Sequence, residues 1–307
     1  MILLSSEKLA FALRPGVFSP FEIQKASTIL EQNNKLAAVF IPDGRSGYES
    51  LEISSSILAS TRRLYAGTGV IRLLEHDLGL LTRRVQTIQA LSSNRLILGV
   101  GTGSPGPQPG QTVMAMLDRI GELEKAFQSF PSGVEAPEVY VAALKSGIAT
   151  RAIGKADGLL LNFCTPQHAF RLIETVKRRM RSQIEFACYL KIFYSSSSDE
   201  TAQRLMIQEF LNYDSTSQYH EMFLQDGTAE AVSRLRNEDD WKTGKIILPR
   251  ELLRVSLANA TDDQLHQYVQ DFRKAGVTLP VVYPYFPQNE EPTFKIQTVG
   301  RILKSLS

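Results

Sequence analysis

The 307-residue sequence predicts an α/β fold: a (β/α)8 TIM barrel of parallel strands ringed by helices, with a helical insertion between strands seven and eight. Three observations predict it. Eight short runs rich in Val, Ile, Leu, Phe and Tyr carry few charges, the mark of strands buried on both faces. Stretches of amphipathic helical spacing lie between most of them. Repeated strand-then-helix order requires parallel pairing through right-handed crossovers. Such strands can also lie open as a doubly wound sheet, but eight units in about 300 residues match the usual size of a closed barrel, which we prefer.

The runs are Leu9 to Leu13, Leu36 to Ile41, Leu64 to Val70, Leu96 to Val100, Val139 to Leu144, Gly158 to Phe163, Ile184 to Tyr194 and Val277 to Tyr285. Phe21, Ala26, Ile29 and Leu30 mark the first helix, and Ala169, Leu172, Ile173 and Val176 mark the sixth. Ser19-Pro20, Asp77 and Thr165-Pro166 supply N-cap side chains, two of them followed by proline at the first helical position, and Asn33-Asn34 is expected to end the first helix. The long stretch 195–276 reads as the insertion, with helices over Glu200 to Tyr213 and Asp262 to Ala275. The chain is read as one domain, 1–307.

Composition sets the class. With 43% hydrophobic and 21% charged residues and no apolar run of transmembrane length, the chain reads as globular and not membrane-spanning. Lys+Arg 34 against Asp+Glu 32 leaves a formal net charge of +2, too small for the basic footprint of a nucleic-acid binder. Two cysteines, Cys164 and Cys188, make neither a disulfide scaffold nor a structural zinc site and are expected to be buried. The N-terminus has no basic head before an apolar core, so a cytoplasmic location is expected.

In a parallel barrel the active site is built from the segments after each strand. Glycines collect there: Pro42-Asp43-Gly44 after strand two, Gly67-Thr68-Gly69-Val70 at the end of strand three, and Gly101-Thr102-Gly103-Ser104-Pro105-Gly106 after strand four. Without a Cβ, a flat ligand or a phosphate can approach the backbone. Gly101, Gly103 and Gly106 match dinucleotide-fingerprint spacing, yet Pro105, Pro107 and Pro109 forbid the immediate helix that motif needs, and a proline-stiffened lid is the better reading. After strand five, Lys145-Ser146-Gly147 opens a helix and reads either as an anion site or as a capping serine beside a solvated lysine. Of the four histidines, only His76 has an active-site address. His168 and His266 are expected on the surface of helices, and His220 lies in the insertion. Neither a Ser/His/Asp order nor metal-ligand spacing is visible.

Three segments resemble a known family: RLYAGTGVIRLLEHDLGLLTRRVQTIQALSSNRLILGVGTG from Arg63 to Gly103, EVYVAALKSGIATRAIGKADGLLLNFCTP from Glu138 to Pro166, and AGVTLPVVYPY from Ala275 to Tyr285. In order and spacing they resemble the bacterial luciferase-like superfamily, most closely its deazaflavin-dependent branch typified by methylenetetrahydromethanopterin reductase. The resemblance implies a dimeric barrel that binds a flavin or deazaflavin at its C-terminal rim. It places Asp43 near the isoalloxazine ring and implies a non-prolyl cis peptide at Gly69-Val70, bulging against the back of that ring. Gly101 and Gly103 fall on the rim after strand four. Ala143 to Gly147, including Lys145, Ser146 and Gly147, matches the phosphate-holding turn, and Asn162 with Thr165-Pro166 matches the segment beside the ribityl chain.

The sequence departs from the pattern in three places. Gly44 and the Ser104 region stand where the family's alcohol and sugar-phosphate dehydrogenases carry a histidine and a glutamate, which argues against alcohol oxidation needing a general base. Thr102 stands where flavin-dependent luciferases carry a phosphate-binding arginine. Lys145-Ser146 replaces a glycine-rich turn. The leading expectation is an oxidoreductase passing hydride between deazaflavin coenzyme F-420 and a small organic substrate, with no side chain acting as nucleophile. The alternatives are an FMN-dependent monooxygenase and a degenerate, non-catalytic member of the family.

Overall fold

The computed structural model describes residues 8–44, 47–103, 108–237, 240–243 and 246–306. Eight strands form the barrel: β1 (Leu9–Ala12), β2 (Leu36–Ile41), β3 (Tyr65–Thr68), β4 (Leu96–Gly101), β5 (Glu138–Ala142), β6 (Gly158–Asn162), β7 (Glu185–Phe193) and β8 (Leu279–Tyr285). They pair in chain order, every pairing parallel, and β8 pairs with both β7 and β1, which closes the sheet. The expected runs overshoot some strands by one or two residues. Leu64 precedes β3, and Gly69 and Val70 lie beyond it, after which Ile71–Arg72 rejoins the sheet alongside Val100 and Gly101 of β4.

Two cores follow from strands buried on both faces. Inside the barrel, Ala10, Ala12, Ala38 and Ala187 leave room for Phe40, Tyr140, Tyr189 and Tyr283, so small and large side chains share the enclosed volume. Outside, the other face of each strand packs under the helices. The outer ring includes α1 (Pro20–Leu30), α2 (Ser50–Ser60), α3 (Leu78–Ser92), α4 (Pro109–Phe127), α5 (Ser146–Arg151) and α6 (Pro166–Lys177).

The expected caps form. Ser19 and Glu22 make a reciprocal capping box on α1, Asp77 Oδ1 accepts from Leu80 N at 2.7 Å, and Thr165 Oγ1 accepts from His168 N at 3.1 Å. Helix α1 stops at Leu30, three residues before Asn33, because the chain turns there to enter β2. Pro109 is the first residue of α4 and not part of the loop, its missing N–H being harmless in the first turn.

The segment between β7 and β8 holds α7 (Asp199–Asp214), α8 (Ser217–Asp226), α9 (Ala229–Asn237), α10 (Asp240–Thr243) and α11 (Asp262–Lys274), and α12 (Pro292–Ser305) ends the fold. Helix α11 packs against α6 and α12 and so belongs to the outer ring, whereas α7, α8 and α9 pack on one another over the barrel mouth.

The opposite, N-terminal end is fastened by two arginines. Arg63 donates to the carbonyls of Leu36 at 2.6 Å and of Glu31 and Asn33 at 2.7 Å. Arg95 donates to those of Ser92 and Leu64 at 2.7 Å, Leu58 at 2.8 Å and Thr61 at 3.0 Å.

Candidate active site

The strand ends and the insertion enclose a cavity of about 710 Å³, lined by Arg14, Asp43, Gly69, Val70, Arg72 and Gly103 and, from α7, α8 and their link, by Glu209, Asn212, Tyr213 and Thr216 to Tyr219. Its floor is main chain. The Gly69–Val70 peptide bond is cis, as the resemblance implied, and Tyr189 Oη reaches across the barrel to donate to the Gly69 carbonyl at 3.0 Å. Gly101 packs behind this floor, where a Cβ would come within 2.6 Å of Val70 Cγ2. Gly103, at φ +68°, leaves the space taken by Arg72, whose Cδ lies 2.6 Å from where a Cβ would stand.

One end of the cavity holds an ion-pair cluster. Asp43, with a buried side chain, faces Arg72 Nη1 at 3.3 Å, and Arg72 also donates to Glu75 at 2.8 Å and to the Gly44 carbonyl at 3.0 Å. Burial pushes the Asp43 carboxyl above its ordinary range, although Arg72 pulls the other way. The other end is built by the insertion. Lys191, 1% exposed on β7, is ion-paired to Glu209 and donates to Tyr213 Oη at 2.9 Å, and its ammonium sits 4.3 Å from the Tyr213 ring centre and 5.0 Å from that of Phe163. Burial alone would lower the Lys191 pKa; the surrounding Tyr213 and Glu209 outweigh it and hold the ammonium above the usual lysine range. Arg14, just past β1, donates to Tyr285 Oη at 2.7 Å.

Asn162 donates to the hydroxyls of Tyr213 at 3.0 Å and Tyr219 at 2.7 Å, so it ties the end of β6 to the insertion. Thr165 donates to Asp226 Oδ2 at 2.9 Å in a groove outside the central cavity. Ala143 is buried, its N–H bonded to the Leu160 carbonyl. Lys145, Ser146 and Gly147 line a second cavity of about 380 Å³ with His168 and Arg171. A third, of about 290 Å³, shares Lys145 and Gly147 with the second and Ser217 and Gln218 with the central one, so the three adjoin. The lid expected at Ser104 to Pro107 lies outside the described residues.

The histidines need one correction. His168 is buried, not on the surface: its Nε2 is 2.8 Å from the Leu144 carbonyl and its Nδ1 3.5 Å from Asp226, whose side chain is 1% exposed. Burial works against the imidazolium, but the Asp226 hydrogen bond prevails and raises the His168 pKa. His76 does not line the cavity, His266 is exposed as expected, and His220 pairs with Asp214 at 2.8 Å. Cys164 and Cys188 are buried free thiols with sulfurs 3.8 Å apart.

Sequence reasoning missed Arg14, Arg72, Tyr189, Lys191, Glu209 and Tyr213. One signal was available for Lys191, the only charge in the run from Phe186 to Phe193. A charge inside a doubly buried strand needs a partner.

The family model for luciferase-like monooxygenases matches residues 22–124 and 118–279. The chain belongs to the luciferase-like monooxygenase family. No curated protein sequence matches it. Among solved structures, an F420-dependent secondary alcohol dehydrogenase in complex with an F420-acetone adduct is similar at 10% identity, covering 98% of this chain and 99% of that one with a TM-score of 0.75. The coenzyme F420-dependent tetrahydromethanopterin reductase of Methanopyrus kandleri is similar at 16% identity, with coverage of 96% and 98% and a TM-score of 0.69. The oxygenating constituent of 3,6-diketocamphane monooxygenase from Pseudomonas putida, in complex with FMN, is similar at 14% identity, with 98% of both chains covered and a TM-score of 0.65. At these identities the likeness shows that this luciferase-like chain shares their barrel.

The site fits a tricyclic cofactor of the flavin type. The floor is bare main chain with Tyr189 behind it, the cavity volume suits a flat ring with a small substrate, and the adjoining cavities lead to Lys145 and Arg171, which are ion-paired with Glu221 and Asp226. Among the described residues of the central cavity no hydroxyl or thiol is paired with a histidine base.

Proposed function

We propose that this luciferase-like chain is an oxidoreductase using a deazaflavin of the coenzyme F-420 type to reduce a small organic substrate. The observation that carries the reading is the run of three adjoining cavities, from a main-chain floor at Gly69 and Val70 to Lys145 and Arg171, which pair there with Glu221 and Asp226 and would have to share their charge with a phosphate. A ring at one end and a phosphorylated tail at the other match that layout.

When bound, the cofactor supplies the hydride chemistry. Asp43, Gly69, Val70 and Gly103 line the ring end, and Lys145, Ser146 and Gly147 receive phosphate. Gly101, Ala143, Asn162 and Thr165 act from behind: Gly101 makes room for Val70, Ala143 holds the turn before Lys145, and Asn162 and Thr165 fasten the insertion that covers the mouth. The insertion tyrosines exclude water above the floor.

Two features favour deazaflavin over FMN. Thr102 stands where the flavin-dependent luciferases carry an arginine, and its hydroxyl is turned to the Gly103 carbonyl at 3.1 Å. Two of the similar structures are F420-dependent enzymes. The test is a fluorescence titration of purified protein with F-420 and with FMN. Saturable F-420 binding and weaker FMN binding are expected. A yellow protein carrying FMN, or binding of neither, overturns the reading.

A further inference from the structure

Two cations line the central cavity among the described residues, Arg14 and Arg72, and their circumstances differ. Arg72 is saturated by Asp43, Glu75 and the Gly44 carbonyl. Among the described residues the Arg14 guanidinium has a single hydrogen-bond partner, Tyr285 Oη, over whose ring it also lies at 5.3 Å from the centre, and no carboxylate within ion-pair distance. A guanidinium carries five N–H donors in a fork that matches a carboxylate. A half-buried guanidinium held in place by tyrosine therefore presents its remaining donors to the cavity.

The neighbouring charges do not cancel it. Glu209, which also lines the cavity, is neutralised by the buried Lys191, so the insertion end keeps one net positive charge. At the opposite end Asp43 faces Arg72, which is already occupied by carboxylates. An anion entering the cavity is drawn toward Arg14.

We propose that Arg14 anchors a carboxylate of the substrate, which makes the substrate a small carboxylic acid held with its anionic end beneath α7. This rests on the reading of the cavity as a substrate site beside a ring cofactor. Tyr285 positions the guanidinium, and the Tyr213 and Tyr219 rings line the space in which the acid's remaining atoms lie. The bidentate geometry available to arginine, in a cavity partly shielded from water, favours a carboxylate over a neutral amide of the same shape.

Benzoate and benzamide are suitable probes, because they share shape and aromatic face and differ in charge. Each is titrated calorimetrically into the full-length chain at pH 7, with and without bound F-420. Benzoate is expected to bind about tenfold or more tighter than benzamide. Arg14→Gln should abolish that preference, Arg14→Lys should keep part of it, and F-420 affinity should be unchanged in both variants. Equal binding of the two probes, binding of neither, or a benzoate preference that survives Arg14→Gln overturns the proposal, as does lost F-420 affinity with the preference intact. If Arg14→Gln melts early, the wild-type probe pair and Arg14→Lys decide. The cofactor-free arm separates the two readings: an Arg14-dependent benzoate preference in a chain that binds no F-420 sinks the proposed function and leaves this one standing.

Discussion

Tyr189 and Gly69 stand on opposite sides of the barrel, and the Tyr189 hydroxyl supports the Gly69 carbonyl from beneath at 3.0 Å. The contact is close enough to dictate the residue at 69: a Cβ there would lie 1.6 Å from Tyr189 Oη and 2.9 Å from its Cζ. Gly69→Ala is therefore expected to lower the melting temperature sharply. Tyr189→Phe alone removes one hydrogen bond and should cost about 1 kcal/mol. Adding Tyr189→Phe to Gly69→Ala should recover part of the loss, because the phenyl ring still crowds the methyl. Thermal melts of the three variants check this, and a Gly69→Ala protein as stable as wild type would contradict it.

Lys191 and Glu209 stand or fall together. Truncating Lys191 to Met leaves the Glu209 carboxylate, 8% exposed, without its cation, which should destabilise the chain by about 3 to 5 kcal/mol. The double variant Lys191→Met/Glu209→Gln removes both charges and should regain most of that. Chemical denaturation of both single variants and the double variant measures the coupling directly.

Glu185 gives stability an unusual pH dependence. It sits at the N-terminal end of β7, where burial pushes its carboxyl up to about 7, against a partial downward pull from the Thr278 hydroxyl. Between pH 4.5, its ordinary midpoint, and about 7, the unfolded chain has released this proton while the folded chain still holds it. This group therefore lowers stability as pH rises through that window, and its penalty is constant above it. Glu185→Gln should remove the slope and stabilise the protein at pH 8 by about 2 to 3 kcal/mol. Denaturant midpoints at pH 5, 6, 7 and 8 test it.

Gly147→Asp places a carboxylate in the cavity lined by Lys145 and Arg171, with Arg151 Nη1 3.4 Å from the new Cβ. Repulsion should weaken F-420 and FMN binding about tenfold while leaving riboflavin, which has no phosphate, unaffected. Ser146 does not cap α5, since it is the first helical residue and Lys145 at the N-cap makes no side-chain cap bond, and equal effects on all three ligands would mean that this turn holds no phosphate.

The strands were legible because a segment buried on both faces must be apolar along its whole length, and the caps at Ser19, Asp77 and Thr165 were legible because capping is local. The cis bond was expected at Gly69-Val70 on resemblance alone, and no propensity would have suggested it. His168 misled because helical spacing identifies the face of α6 it occupies but not what covers that face, and its partner Asp226 arrives from the end of α8. Arg14 was invisible for a related reason. Its significance is a missing partner, and an absence of that kind exists only once every neighbour is in place.

Arg63 and Arg95 bind the closed end of the barrel through main-chain carbonyls, and every residue type possesses one. What they clasp is thus indifferent to the side chains at Leu36, Asn33, Leu58 and Leu64, and drift at those positions leaves the clasp intact. At the mouth more of the contacts join one side chain to another, such as Arg72 with Asp43 and Asn162 with Tyr213 and Tyr219. In this chain tolerance to sequence change is lodged at the end where no chemistry happens, and a new substrate can be acquired at the other end by exchanging a few side chains without reopening the barrel.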